Sequence, residues 1–190
     1  MVQELKPIKL LNPDKERGLH LMKALDIRAS VNEWSSQKLT LQDISDLLWA
    51  ANGINRPDGR KTASSSMNAQ DIDIYVFMEE GIFLYDARKH VLDPVVQGDH
   101  RELPGLTEAP VTLVLITDIS RFMNGTDAQR LRWAGIDCGI VSQNISLFCA
   151  ATGIKTRPRA GFPGAEKARE VLRLKTSQYI LLNHPVGYAK

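Results

Sequence analysis

The first polar segment whose residue types could bind a ligand spans residues 28–32. Arg28, Ser30 and Asn32 place a guanidinium, a hydroxyl and an amide within five residues. Such groups can together hold a phosphate, because a guanidinium offers paired donors that match its oxygens. The alternative is a solvated helix end, in which the serine hydroxyl only satisfies local backbone groups.

A second polar segment, residues 64–70, reads Ser-Ser-Ser-Met-Asn-Ala-Gln and directly precedes a predicted strand. The side-chain amides of Asn68 and Gln70 can both donate and accept hydrogen bonds, as the edge of a planar heterocycle requires. An ordinary turn built from serine and asparagine is the alternative interpretation.

The third segment, residues 155–161, reads Lys-Thr-Arg-Pro-Arg-Ala-Gly. If it is extended, Lys155, Arg157 and Arg159 lie on one face and form a local anion site. The alternative is an exposed basic edge without a ligand. Gly161 adds a further possibility, since a missing side chain lets a backbone N–H come close to a bound molecule.

The usual catalytic constellations are missing from the sequence. It contains no nucleophile elbow, phosphate-binding P-loop or dinucleotide-binding glycine fingerprint. The four histidines are scattered without a spacing that suits a metal, so no metal site is predicted. If the protein is an enzyme, a cofactor carries the chemistry.

The element that must position these segments is a helix predicted from Trp133 to Ala151. It carries no charge except Asp137 and has apolar residues on every face, which is typical of a buried helix. Gly153 is expected to end it in a left-handed cap. The two cysteines lie eleven residues apart on this helix, about 16 Å along its axis, so they cannot form a disulfide within the chain and are interpreted as small core residues.

The other elements predict an α+β layered domain. Asn12-Pro13-Asp14 has the residue types of a helix start, and the helix is expected to continue to about Ile27. Thr40 and Asp43 form a variant capping box for a second helix that stops at Gly53. The remaining predicted elements are strands at 72–78, 82–85 and 91–92 in an antiparallel meander, a central strand at 111–117, a helix at 164–174 and a last strand at 179–182.

The bulk composition indicates a single domain over residues 1–190. The chain is 43% hydrophobic, with 24 basic and 22 acidic residues, so it lacks the basic surface expected of a protein that binds nucleic acid or an anionic membrane. The first residues show no secretory signal, and no apolar run approaches the length of a membrane span. A reducing, cytoplasmic location is expected.

Four motifs in register resemble the nitroreductase superfamily of FMN-dependent oxidoreductases, nearest to its short, thiazole-oxidase-like branch. They are the "RRSVREF"-like segment at 28–34, the "S-x-x-N-x-Q"-like segment at 65–70, the Asn144-to-Phe162 pattern ending in "P-x-x-G-F", and the terminal "P-x-G-Y" at 185–188. The resemblance covers residues 20–188. It implies a mostly antiparallel sheet flanked by helices, in an intertwined homodimer with the flavin between subunits.

The resemblance also implies roles for individual residues. The segment of Arg28, Ala29, Ser30 and Asn32 would hold the FMN phosphate and ribityl region, and Asn68 and Gln70 would meet the ribityl chain or the pyrimidine edge. Arg159, Ala160 and Gly161 would complete the site, with the Gly161 backbone N–H near the flavin N5. Ala29 and Asn32 depart from the basic residues of the motif, so the phosphate charge would depend on Arg28 and on Lys190 or a residue of 155–159.

The resemblance implies a function in which NAD(P)H reduces the flavin, and an electron-poor acceptor such as a nitroaromatic or a quinone then takes the hydride. Other functions remain open: a flavin-dependent dehydrogenase or oxidase of one specific substrate, as in the thiazole-oxidase branch, and a non-catalytic flavin-binding protein. A nucleic-acid adaptor using Lys155, Arg157 and Arg159 is the least favoured alternative, because the charge is balanced and no aromatic residues are interleaved with these basic ones.

Overall fold

An antiparallel sheet forms the centre of the fold in the computed structural model, which describes residues 4–105 and 109–190. Its strand order is β1-β4-β3-β2-β5-β7-β6, and each of these neighbouring pairs is antiparallel. The strands are β1 (Ile8–Lys9), β2 (Ile72–Phe77), β3 (Gly81–Asp86), β4 (Val91–Gln97), β5 (Val111–Asp118), β6 (Lys155–Thr156) and β7 (Gln178–Gly187).

Helices cover both faces of the sheet. They are α1 (Leu21–Ile27), α2 (Leu41–Asn52), α3 (Asp127–Thr152) and α4 (Ala165–Val171). The larger hydrophobic core lies between the sheet and α2 and α3, and a smaller one lies under α4 on the opposite face. The α+β class and the antiparallel sheet flanked by helices are therefore confirmed.

Most of the predicted strands are confirmed, with longer ends. The β2-β3-β4 meander is present, and β5 is buried along its whole length between β2 and β7, as its uninterrupted apolar run predicted. β4 continues to Gln97 because it pairs with β3 throughout. β7 continues to Gly187 because β5 pairs with its polar second half as well as with residues 179–182.

The predicted start of the first helix at Asn12 is wrong. The N–H of Asp14 donates to Asp46 Oδ1 of α2 at 2.8 Å, and Arg17 forms ion pairs with Asp43 and Asp46. Gly18 then adopts a positive φ of 105°. Residues 12–17 are therefore held against the start of α2, and α1 begins only at Leu21.

The capping box of α2 is confirmed. The Thr40 N–H donates to Asp43 Oδ2 at 2.8 Å, and the Asp43 N–H donates to Thr40 Oγ1 at 3.1 Å. Tyr188 also donates to Asp43 Oδ2 at 2.7 Å. Burial acts to raise the pKa of Asp43, but hydrogen bonds from Thr40, Arg17 and Tyr188 outweigh it and lower that pKa. The terminal "P-x-G-Y" motif thus ends in a residue that ties the end of the chain to α2.

Helix α3 differs from its prediction in two ways. It begins at Asp127 rather than Trp133, capped by Thr126 and Gln129, although it ends at Gly153 in the expected left-handed conformation with φ 80°. The expectation of a wholly buried helix is wrong for the single chain, in which Ile136 is 54% exposed. The helix packs against α1, α2 and the sheet on one side only.

No membrane span was expected from the sequence, yet α3 is long and apolar enough to cross a membrane. Length and composition alone do not identify a membrane span, because the core helix of a soluble protein can have both. Its packed side contains the buried Asp137, and its two cysteines are free and buried in the core as predicted. Burial raises the pKa of Cys138 to about 12, so its thiol stays protonated. We therefore interpret α3 as a core helix.

Candidate functional site

The fold brings the first and third polar segments together. Ser30 and Thr156 form a parallel β-bridge, and the Val31 N–H donates to the Thr156 carbonyl at 3.3 Å. The Arg157 guanidinium donates to Asn32 Oδ1. Arg28 caps the end of α1 through its backbone, and its exposed side chain makes no hydrogen bond or ion pair with any residue that the structure describes.

The basic residues of the third segment, which the sequence predicted as a local anion site, have different partners in the chain. Arg157 is directed to Asn32, whereas Arg159 Nη1 donates to the Pro104 carbonyl at 3.2 Å. Lys155 belongs to the short strand β6. Lys155, Thr156 and Arg159 pair with Gly187, Val186 and Asn183 of β7 in one antiparallel register, so the segment stays beside β7.

Asn183 of β7 fixes the loop formed by residues 159–161. Its backbone exchanges two hydrogen bonds with Arg159, at 2.9 and 2.8 Å, and its Nδ2 donates to the Gly161 carbonyl at 2.8 Å. The backbone N–H groups of Ala160 and Gly161 have no acceptor within the described ranges. A Cβ placed on Gly161 would meet no atom within 4 Å. Ala160 and Gly161 are both exposed, so the loop leaves two backbone donors without an acceptor at the surface.

A buried histidine supports the neighbouring strand. Thr156 Oγ1 donates to the Pro185 carbonyl at 2.9 Å, so it accepts from His184 Nδ1 at 3.2 Å, and His184 Nε2 accepts from Ser142 Oγ at 2.9 Å. Burial lowers the pKa of His184 to about 3. His184 is thus a neutral link between α3, β6 and β7, a role that its place in the sequence does not distinguish from those of the other histidines.

The second polar segment is strained. Met67, Asn68 and Gln70 have φ values of 55°, 54° and 49°, a left-handed conformation that costs on the order of 1 kcal/mol for each residue other than glycine. The N–H and Oγ of Ser66 donate to Asp137 at 2.8 and 2.9 Å. The Gln70 N–H donates to Ser65 Oγ at 2.9 Å. These hydrogen bonds hold the segment in a conformation that its residues would not adopt alone.

Asn68 and Gln70 line a polar cleft of about 620 Å³. Gln70 Nε2 donates to the Gly59 carbonyl at 3.1 Å, and Arg121 Nη1 donates to the Gln70 carbonyl at 2.8 Å and to Asp73 at 3.0 Å. The two amides predicted to meet a ligand are therefore accessible, and charged side chains surround them.

The two halves of the predicted site contact α3 at different places along its length. Asp137 holds residues 64–70, whereas Cys149, twelve residues further along the helix, lines a small cavity with Ala29 and Thr156. Twelve residues of α-helix span about 18 Å. One chain therefore does not bring Asn68 and Gln70 next to Arg28 and Ser30, although it does bring the 28–32 and 155–161 segments together.

A buried pair of carboxyl groups next to the second segment was not predicted from the sequence. Asp71 is 0% exposed and Asp137 is 2% exposed. Burial raises the pKa of Asp71 to about 7, the nearby Asp137 carboxyl adds to this rise, and a hydrogen bond from Thr117 opposes it. The one available signal was that Asp137 is the sole charge in a long uncharged helix.

Known proteins resemble this chain over nearly its whole length. The nitroreductase family model matches residues 26–188. A protein of Methanocaldococcus jannaschii with the name "Putative nitroreductase" is 32% identical over 190 residues, covering 92% of this chain and 93% of that protein. The crystal structure of a "putative nitroreductase" from Ralstonia eutropha JMP134 superposes with a TM-score of 0.91 at 30% identity, over 98% of this chain and 90% of that one.

A more distant structure shares the fold alone. The E. coli microcin synthetase McbBCD complex contains a chain that superposes with a TM-score of 0.75 at 18% identity, over 86% of this chain and 70% of that one. The family model and the two nearer relatives agree with the four motifs and with the sheet and helices described above. The chain belongs to the nitroreductase family, and its general role is that of an oxidoreductase.

Proposed function

We propose that the protein is an FMN-dependent oxidoreductase that takes a hydride from NAD(P)H and passes it to an electron-poor acceptor such as a nitroaromatic or a quinone. The observation that carries this proposal is the 159–161 loop. The N–H groups of Ala160 and Gly161 have no acceptor among the described residues, and both residues are exposed beside β7. Fixed donors of this kind stabilise negative charge that develops on a bound group.

The residues present fit a flavin mononucleotide. Arg28 and Ser30 are exposed and lie beside the 155–157 segment, where they would hold the phosphate and the ribityl chain with Asn32 and the backbone of Ala29. Arg159 positions the loop through its hydrogen bonds to Asn183 and Pro104. When bound, the flavin supplies the hydride chemistry, and these residues bind and orient it.

No side chain beside the loop acts as an acid or a base in this proposal. His184, the titratable group of the supporting strand, is buried, neutral and hydrogen-bonded at both ring nitrogens. It therefore fixes the position of β6 and β7 and does not exchange protons with a substrate.

We further propose that two copies of the chain form a homodimer that completes the site. A second copy could bring its Asn68 and Gln70 to the Arg28 and Gly161 half, because within one chain the two halves contact α3 at residues twelve positions apart, about 18 Å along the helix. The single chain also leaves apolar residues of two helices exposed, which is typical of an interface. They are Leu21, Met22, Leu25 and Ile27 of α1 and Ile136 of α3.

The function is tested by adding FMN to the purified protein and following visible absorption. We expect bound FMN, bleaching by NADH or NADPH without oxygen, and recovery of the absorption when a nitroaromatic or a quinone is added. Protein that stays colourless with excess FMN would contradict the proposal. If FMN binds but neither nucleotide reduces it, a dehydrogenase or oxidase of one specific substrate is favoured instead. If FMN binds and no electron donor or acceptor changes its absorption, a non-catalytic flavin protein is favoured.

A cytoplasmic location belongs to the same proposal. Cys138 and Cys149 are free and buried, as expected in a reducing compartment. Fractionation of the producing cells tests this, and recovery of the protein in a membrane or extracellular fraction would contradict it.

A further inference from the structure

The starting observation is that Asp71 and Asp137 are neighbouring buried carboxyl groups that differ in their hydrogen-bond donors. Thr117 Oγ1 donates to Asp71 Oδ2 at 2.6 Å, and Asp71 Oδ1 has no hydrogen-bond partner within the part of the chain that the structure describes. A buried carboxylate oxygen without a donor is costly, and the Asp137 carboxyl group beside it adds to that cost by repulsion. One of the two groups is therefore expected to carry a proton.

The surrounding hydrogen bonds assign that proton to Asp71. Asp137 already accepts two hydrogen bonds from Ser66, one from the backbone N–H and one from the hydroxyl. These donors favour the charged form of Asp137, whereas Asp71 is fully buried and receives one hydroxyl donor. Asp71 is therefore the group expected to carry the proton, beside the charged Asp137.

We propose that this acid–carboxylate pair is a positioning device, in which the proton of Asp71 fixes Asp137 and Asp137 holds residues 64–70 in their strained conformation. The pair joins three elements: Asp71 lies at the start of β2, Thr117 lies on β5, and Asp137 lies on α3. The held segment contains three non-glycine residues with positive φ, including Asn68 and Gln70. Loss of the proton would place two negative charges together without water to separate them.

Several charged or titratable groups face Asp71 from the elements packed around it. Helix α3 contributes Asp137 and Cys138, and the loop after α2 contributes Lys61. Strand β2 contributes Asp73, and the end of β5 contributes Asp118 and Arg121. Arg121 is paired with Asp73. Lys61 forms no ion pair with Asp71 within the described residues. Lys61 does line a small cavity with Asp137, but neither carboxyl group of the pair has an ion-pair partner among the described residues, so a second negative charge would lack direct pairing.

The proton itself can be observed in the protein without any ligand. We expect infrared spectra of the wild-type protein to show a carboxylic acid band at pH 6 that disappears as the pH rises to 9. Asp71→Asn should lack the band, because an amide replaces the acid. The matched control is Asp127→Asn, which removes an exposed carboxylate from the first turn of α3 and should leave the band unchanged. Absence of the band from the wild-type protein at pH 6 would overturn the proposal.

Hydrogen exchange of residues 64–70 tests the positioning role. In the wild-type protein the protection of these amides, corrected for intrinsic exchange, should fall as the pH rises past neutrality. Asp71→Asn donates to Asp137 at every pH, so its protection should not change with pH. Asp137→Asn replaces one carboxylate acceptor with an amide donor and should lose the protection even at pH 6. Equal pH dependence in the wild-type protein and Asp71→Asn would contradict the proposal.

A third measurement rests on the proposed function, because it assumes that Asn68 and Gln70 contact FMN. One linked proton changes an affinity by at most about tenfold per pH unit, so FMN affinity in the wild-type protein should fall by up to about tenfold per unit above pH 7. The fall should be absent in Asp71→Asn.

If the protein binds no FMN at any pH, the proposed function fails while the infrared and exchange measurements still decide the role of the pair. If FMN binds with the same pH profile in both proteins, the positioning role is overturned.

Discussion

Asn183 shows how a single buried side chain can prepare a backbone for binding. Its Nδ2 donates to the carbonyls of Arg159 and Gly161 at 3.3 and 2.8 Å, which fixes the 159–160 and 161–162 peptide groups. Because a trans peptide points its N–H away from its carbonyl, the held Arg159 carbonyl leaves the N–H of Ala160 on the opposite side. Arg28 differs from Asn183 in that its side chain is an exposed cation without a hydrogen-bond or ion-pair partner among the residues described. An unpaired cation of this kind is expected where a side chain binds an anionic ligand.

Arg28→Ala should lower FMN affinity by roughly 10- to 100-fold, because a charge-assisted hydrogen bond contributes about 1.5–3 kcal/mol. The thermal unfolding midpoint should change little, since the side chain is exposed and forms no hydrogen bond or ion pair with any residue that the structure describes. The affinity is measured by fluorescence titration of FMN. Lys23→Ala is the matched control, as it removes an exposed cation from the same helix. A similar loss of affinity in both variants would show that the effect comes from net charge alone, and would contradict the phosphate role.

Helix α3 determines the geometry of the site because it contacts both halves. Its first half contains Asp137, which holds residues 64–70, and its second half packs beside α1 and β6. On its exposed side, Gly135 and Gly139 lie one turn apart with nothing within 4 Å of an added Cβ. Small residues let two helices approach closely, since interaxial distance depends on the side chains at the contact.

Gly139→Leu should weaken the proposed dimer by roughly 100-fold. Overpacking costs about 1–3 kcal/mol per site, and a two-fold axis applies the change twice. The separated chain should be as stable as the wild-type chain or more so, because glycine is a poor helix former and the leucine would meet open space.

Sedimentation equilibrium over a range of concentrations measures this dissociation constant. The control is Lys167→Leu, which adds the same side chain to an exposed position of α4 and should leave the association unchanged. An unaltered dimer in Gly139→Leu would place the interface away from this face of α3.

For the molecule as a whole, two buried groups link stability to pH in opposite directions. Burial holds the pKa of His184 at about 3, below its unfolded value near 6.5. The unfolded chain therefore binds the additional proton between these values, and stability is lost as pH falls below about 6.5. Asp71, with a pKa of about 7, keeps a proton that the unfolded chain releases near pH 4. Its contribution is therefore lost as pH rises from about 4 to 7.

The two contributions should nearly cancel between pH 4.5 and 6.5, because each changes by about 1.4 kcal/mol per pH unit when one proton is linked. His184→Gln removes the first, so its stability relative to wild type should increase as pH falls. Asp71→Asn removes the second and should show the opposite trend. Urea unfolding of the three proteins at several pH values tests both signs. Parallel pH dependence in all three would contradict the assignment of either group.

Local signals in the sequence were sufficient wherever the interacting groups are close in the chain. Thr40 and Asp43 fixed the start of α2, Gly153 fixed the end of α3, and the uninterrupted apolar run at 111–117 identified the central strand. The start of α1 was not predictable in this way. Arg17 is separated from Asp43 and Asp46 by more than 25 residues, and its ion pairs override the helix signals at Asn12 and Pro13.

The four motifs and their order were enough to place this chain in the nitroreductase family and to nominate its site residues from the sequence alone. Only the tertiary structure decided which of those residues meet. Residues 28–32 lie beside 155–157, whereas the segment of Asn68 and Gln70 is held by Asp137, twelve residues before Cys149 on α3. It alone revealed the pair of Asp71 and Asp137. The physical reason is that helix caps and apolar periodicity act over a few residues, whereas a buried proton depends on which distant segments the packed core excludes from water.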